Sequence, residues 1–188
     1  MKQAFISEAK VLEEARKAVA EALQIDVNTV QTESSLIQDL GAESLDFLDI
    51  NYRLEQAFGI KMARHTLLEH VEDLFGEESA IDGNGQLTEK AVQLLQLRFP
   101  GQDLGLQPGM DLEEVPHIIT VRSMAQGVLD ILESLPDACS ACGKTAWKID
   151  EAGTHIQCEA CGEAAEFRNG DDLIQDWLNQ VQAEKQLF

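Results

Sequence analysis

The stretch Asp39-Leu-Gly-Ala-Glu-Ser-Leu-Asp-Phe-Leu-Asp-Ile50, running on to Phe58, constrains the fold of this chain more than any other. A turn at Gly41 leads into a helix whose apolar positions Leu45, Leu48, Leu54 and Phe58 recur at helical spacing, predicting one apolar stripe. Gly59 supplies the stop. Ser44 stands where an N-cap is expected. Acids surround it: Asp39, Glu43, Asp46, Asp49 and Glu55 against one base, Arg53. The free N–H groups and dipole of a helix N-terminus favour an anion, so a phosphodiester on the Ser44 hydroxyl would sit in a favourable field. The same residues also suit an ordinary acidic amphipathic helix that Ser44 merely caps.

The wider run, Glu33-Ser-Ser-Leu-Ile-Gln-Asp-Leu-Gly-Ala-Glu-Ser-Leu-Asp46 with Leu54-Glu-Gln-Ala-Phe-Gly-Ile60, resembles the acyl carrier proteins. In that family the attachment motif is Asp-Ser-Leu behind a glycine; here Glu43 replaces the Asp and keeps the charge. The resemblance implies that Ser44 carries a 4′-phosphopantetheine arm, loaded by a phosphopantetheinyl transferase. It also implies a helix read by acyl-transferring or chain-extending enzymes through basic patches. Their contacts would fall on Glu43, Asp46, Asp49 and Glu55, with Leu45 and Tyr52 as apolar anchors. Asn51 occupies a position where carriers usually place an apolar residue facing the acyl-chain cavity, which points to a specialised cargo.

Around this centre the periodicity predicts a first helix over about Ser7–Leu23, with Val11, Ala15, Val19 and Leu23 a turn apart. Leu36, Ile37 and Leu40 are expected to tuck the following loop onto the core. Ile118-Ile-Thr-Val121 resembles the entry to a carrier's last helix, expected over Val121 to about Leu135 with Met124, Val128, Leu129, Ile131 and Leu132 available for the core. Between the two lies an insertion at about 62–117, with helical patterns near Leu67–Phe75 and Leu87–Leu97. Six glycines and three prolines between Gly76 and Pro116 mark the rest of it as loop. Val71-Glu-Asp73, Asp82-Gly-Asn-Gly-Gln-Leu-Thr-Glu89, Leu45–Ile50 and Phe58–Lys61 are similar to enlarged carriers that hand very long acyl chains to lipid A. The insertion then either enlarges the apolar interior or forms a surface elaboration with its own small core.

Cys139-x-x-Cys142 and Cys158-x-x-Cys161 are separated by fifteen residues, and a glycine follows each pair, Gly143 and Gly162. Two such knuckles can set four thiolates around one metal, with the glycines easing turns at φ > 0. Between them, Thr145–Ile149 and Thr154–Gln157 flank Asp150-Glu-Ala-Gly153 as a hairpin with its turn. The pattern resembles a zinc ribbon. Iron on four thiolates is the rival metal. A filled four-cysteine set leaves no open position for catalysis, and His155 is expected on the strand surface rather than as a ligand. After the ribbon, Leu173, Ile174, Trp177, Leu178 and Val181 repeat through Asp171–Gln186 as an amphipathic helix. It would cover the ribbon or the carrier domain, or dock a partner.

The expected fold is mainly α: an acyl-carrier-like helical bundle with a helical and loop insertion, a small zinc-ribbon β module and a C-terminal helix. Its expected parts are a carrier domain over 1–135, the ribbon over 136–170 and the helix over 171–188. A net charge of −20 disfavours nucleic acid and anionic membranes and favours basic protein partners. The ribbon's own Lys144, Lys148 and Arg168 are outnumbered by Asp150, Glu151, Glu159, Glu163 and Glu166, the wrong sign for phosphate contacts. No run approaches a membrane span, and the N-terminus lacks the layout of a secretory signal. Cysteines that read as metal ligands fit a reducing cytoplasm. His65, His70 and His117 fall in the insertion and form no catalytic pattern, so an enzyme is not expected. The competing function is a zinc-ribbon interaction module in which Ser44 stays unmodified.

Overall fold

A computed structural model describes residues 5–100 and 104–188, in two compact units. The described residues are mainly helical with one two-stranded sheet, as expected.

The first unit comprises residues 1–62 and 119–170. Its frame is three helices: α1 (Glu8–Leu23), α2 (Ser44–Phe58) and, after the insertion, α5 (Val121–Leu132). α1 packs against both of the others. Ser7 caps α1 by accepting from the Lys10 N–H, and Thr120 caps α5 by accepting from Ser123. Val11, Ala15 and Val19 on α1 meet a core with Ile50, Leu54 and Phe58 of α2 and Val121, Ala125, Val128 and Ile131 of α5. Each fully buried large side chain contributes about 1.5–3 kcal/mol of apolar transfer. Arg16 holds the loop after α1, its Nε and Nη2 donating to the carbonyls of Val30 (2.7 Å) and Val27 (2.9 Å). On α5, Met124, Leu129 and Leu132 are only half-buried.

α2 departs from its sequence reading in two ways. Glu43, in an extended conformation, is the N-cap residue, and Ser44 is the first residue of the helix proper. The Asp46 carboxylate accepts the Glu43 N–H at 2.8 Å, so the acids satisfy the terminus and leave Ser44 free of that task. The predicted stripe also splits. At about 100° per residue, 50, 54 and 58 share one side of the helix, while 45, 48 and 52 fall on the opposite side. Leu45, Leu48 and Tyr52 are accordingly exposed.

The second unit comprises residues 63–118 and 171–188. It holds α3 (Leu67–Phe75), α4 (Glu89–Arg98) and α6 (Gly170–Lys185), which begins at the unit boundary. Thr66 and Glu69 form a reciprocal capping box on α3, and Thr88 caps α4. Leu68, Val71, Leu87, Leu94, Leu95 and Leu178 are buried together. Phe75 stacks on Phe188 with ring centroids 4.6 Å apart. Between α3 and α4 the Asp82 carboxylate accepts the N–H groups of Asn84 and Gln86, which holds it below the ordinary carboxylate range. The buried leucines and Val71 form a core that the insertion shares with α6. The C-terminal helix α6 packs into the insertion. Its apolar face, led by Leu178, completes the insertion's core.

Candidate functional site

The loop leading to Ser44 is built from backbone hydrogen bonds rather than helix or sheet. Leu36, fully buried, donates its N–H to Ile119, and Val121 and Arg122 donate to Ser34 and Thr32. The loop is thereby laid along the segment that enters α5. Asp39 turns it by accepting the Ser35 N–H at 2.7 Å, and Ala42 N–H closes on the Leu36 carbonyl at 2.8 Å. Gly41 adopts φ +71°, a left-handed conformation that disfavours any side chain. Ser44 emerges from this turn exposed, on the first turn of α2.

The other predicted contact residues divide by surroundings. Glu43 is exposed beside Ser44, and Asp46 is half-buried by its bond to Glu43. Asp49 pairs with Arg53 at 3.1 Å, and Arg53 also reaches Glu21 on α1. Glu55 is turned toward the protein, its carboxylate accepting the Met62 N–H at 2.9 Å. Leu45 is 77% exposed and Tyr52 58%. Leu48, also 58% exposed, joins them in one apolar row beside the acids. The sequence reading sets Leu48 on one stripe with Leu45, Leu54 and Phe58; the i, i+3, i+7 spacing of 45, 48 and 52 is the sign of a second face. Asn51 is half-buried, and its Oδ1 is enclosed without a hydrogen-bond partner among the described residues.

The four cysteines converge. Each knuckle repeats one pattern: the first cysteine N–H donates five residues ahead (Cys139 to Lys144, Cys158 to Glu163), and the glycine N–H returns to its carbonyl. Gly143 and Gly162 sit at φ +71° and +79°. β1 (Trp147–Ile149) pairs antiparallel with β2 (Ile156–Cys158), setting Trp147 opposite Cys158. Cys139 Sγ lies 3.7 Å from Cys161 Sγ and Cys142 Sγ 3.6 Å from Cys158 Sγ, and one ligand atom from each residue lies within 4.8 Å of the others. These separations are far beyond a disulfide bond, about 2.0 Å. Four thiolates on a zinc at about 2.3 Å would stand about 3.8 Å apart as the edges of a tetrahedron, so the donor set fits such an ion.

Proton affinities in the cluster are spread. Burial pushes the Cys158 thiol up, but N–H groups of Cys161 and Ala160 and the adjacent thiols outweigh it, to about 7. The Glu163 N–H favours a Cys161 thiolate, yet the surrounding sulfurs leave that thiol raised to about 12. Like charges cannot accumulate on four close sulfurs without a cation. His155 is not among the cysteine cluster; its side chain lies against Gly59, where a Cβ would come within 3.1 Å of its Cδ2. Trp147 Nε1 donates to the Pro136 carbonyl, and Gly170 N–H to that of Lys61. The cysteine module is thus fastened to the end of α2.

Residues 13–72 match the family described as a phosphopantetheine attachment site. The acyl carrier protein of Clostridium acetobutylicum is 42% identical over 52 residues, 28% of this chain and 68% of that protein. The chain belongs to the acyl carrier protein family. Its members are carriers rather than enzymes. This carrier is also similar to acyl carrier protein AcpXL of Mesorhizobium japonicum, 42% identical over 57 residues, 30% of the chain and 61% of the relative. AcpXL of Brucella melitensis is 52% identical over 44 residues, 23% and 47% respectively. The carrier therefore spans about half to three-fifths of the AcpXL proteins it matches. No solved structure matches it. The family match ends at residue 72, before the ribbon and most of the insertion. Among the described residues no helix is long and apolar enough to cross a membrane.

Proposed function

We propose that this carrier holds acyl groups as thioesters on a 4′-phosphopantetheine arm attached to Ser44, serving fatty-acid, lipid or polyketide assembly in the cytoplasm. The observation that carries the reading is the exposed Ser44 hydroxyl on the first turn of α2, beside an apolar row that the fold leaves uncovered. Partners with basic patches would be steered by Glu43, Asp46 and Asp49 and seated on Leu45, Leu48 and Tyr52, with binding that weakens in salt. The likeness to AcpXL and the unpartnered Asn51 Oδ1 support an unusual acyl chain. Cys139, Cys142, Cys158 and Cys161 hold a structural zinc ion.

Intact mass before and after incubation with coenzyme A and a promiscuous phosphopantetheinyl transferase tests this. One added phosphopantetheine, absent in Ser44→Ala, is expected. A bare Ser44 with metal still bound would overturn the carrier function and leave a zinc-dependent interaction module. The same assay reads the docking row. Leu45→Ala removes a side chain with little burial to lose, so the melting temperature should stay unchanged. The transferase kcat/KM should fall about tenfold, as for an interface anchor of roughly 1–2 kcal/mol.

A further inference from the structure

The second unit contains a cluster of ligand-type side chains distinct from the cysteines. His65 precedes α3, His70 lies within it, and Asp171 stands in the first turn of α6. One ligand atom from each of the three lies within 4.8 Å of the others. Asp171 Oδ1 is 2.9 Å from His70 Nε2 and 3.5 Å from His65 Nδ1. Ligands on a tetrahedral zinc, at bonds of about 2.0–2.1 Å, stand about 3.3 Å apart, so the two separations bracket a ligand–ligand edge.

A buried histidine is satisfied by one carboxylate. The arrangement here goes further, because a second imidazole, 60% exposed, faces the same oxygen. The supporting shell is also in place. The Gln175 amide lies 3.5 Å from His70 Nδ1, orienting the ring with Nε2 toward Asp171. The N–H groups of Arg64 and His65 hold the Asp171 carboxylate at 3.0–3.1 Å. His70 is buried while His65 is exposed, which leaves one side of the cluster open for an ion to enter and for water to complete its shell. Two imidazoles and one carboxylate suit borderline first-row cations; calcium and magnesium prefer all-oxygen sets.

We propose that His65, His70 and Asp171 bind a divalent first-row transition metal, zinc above all, with water in the remaining position. The ion would tie the segment entering α3 to the first turn of α6, two stretches more than a hundred residues apart in sequence.

The test is metal titration of the full chain, stripped of metal, with Zn2+ counted by native mass spectrometry and Co2+ followed by absorption. Cobalt on the four cysteines gives intense thiolate charge-transfer bands; cobalt on two histidines and an aspartate gives only weak ligand-field bands. Two equivalents per chain are expected. His65→Ala changes an exposed side chain and should leave the fold intact. It should weaken one equivalent at least about tenfold, the scale on which even supporting residues act, while the thiolate bands persist. Asp171→Asn should do the same. A single equivalent that saturates the thiolate bands and ignores both substitutions overturns the proposal. A single equivalent without thiolate bands, lost in His65→Ala, upholds it and removes the cysteine site instead.

Discussion

Stripping the proposed zinc from the four-cysteine cluster, or replacing Cys158 by Ser, should unfold the segment from Cys139 to Arg168 and lower the melting temperature of the carrier core. Two strands of three residues each do not stand alone in water. The cysteine module buries little apolar surface besides Ile156 and Ala165, so a metal on the four thiolates would have to supply its folding energy. Structural zinc in small peptides contributes about 10–16 kcal/mol of apparent binding energy near neutral pH. The loss reaches α2, because His155 lies against Gly59 and Gly170 donates to Lys61. Trp147 fluorescence and amide exchange at Gly59 and Ile60 would follow it on adding chelator. Unchanged Trp147 emission and unchanged protection after verified metal removal would show that the ion is not structural. Binding displaces thiol protons, so affinity should fall as pH falls, whichever metal is bound.

Leu178→Ala should destabilise the insertion's unit by about 2–5 kcal/mol, the range for deleting a fully buried leucine. Leu178 is enclosed with Leu68, Val71, Leu94 and Leu95, so truncation leaves a cavity rather than a collapsible surface. Urea unfolding followed by far-UV circular dichroism would show an early loss of helix, with Ser44 still loaded by the transferase. If α6 were a free docking helix, Leu178 would be exposed in solution and the substitution would be close to neutral.

The local elements were legible because their causes are local. Ser7, Thr66, Thr88 and Thr120 each stand at the start of an apolar period, and the helices begin there. The turn at Gly41, the serine after it and the two cysteine knuckles depend on residue type and short spacing alone, so sequence reasoning reached them directly. The division of α2 was harder. Eight apolar or aromatic side chains on fifteen positions allow more than one stripe, and the tertiary packing, which sets α1 against α2, selected Ile50, Leu54 and Phe58 for burial. Leu45 and Leu48 therefore fall off the stripe expected to join them to Leu54 and Phe58.

What the chain's own residues determined is a serine on an acidic helix and a set of four thiols at metal-binding spacing. Tertiary structure decided which faces are covered. α6 returns after the ribbon to complete a core begun a hundred residues earlier, and no periodicity within α6 names its partner. The same return brings Asp171 to His65 and His70, which the sequence left as unrelated residues in the insertion and the last helix. Hydrophobic burial has no direction of its own. An amphipathic stripe records that a face must be covered, and the path of the whole chain decides by what.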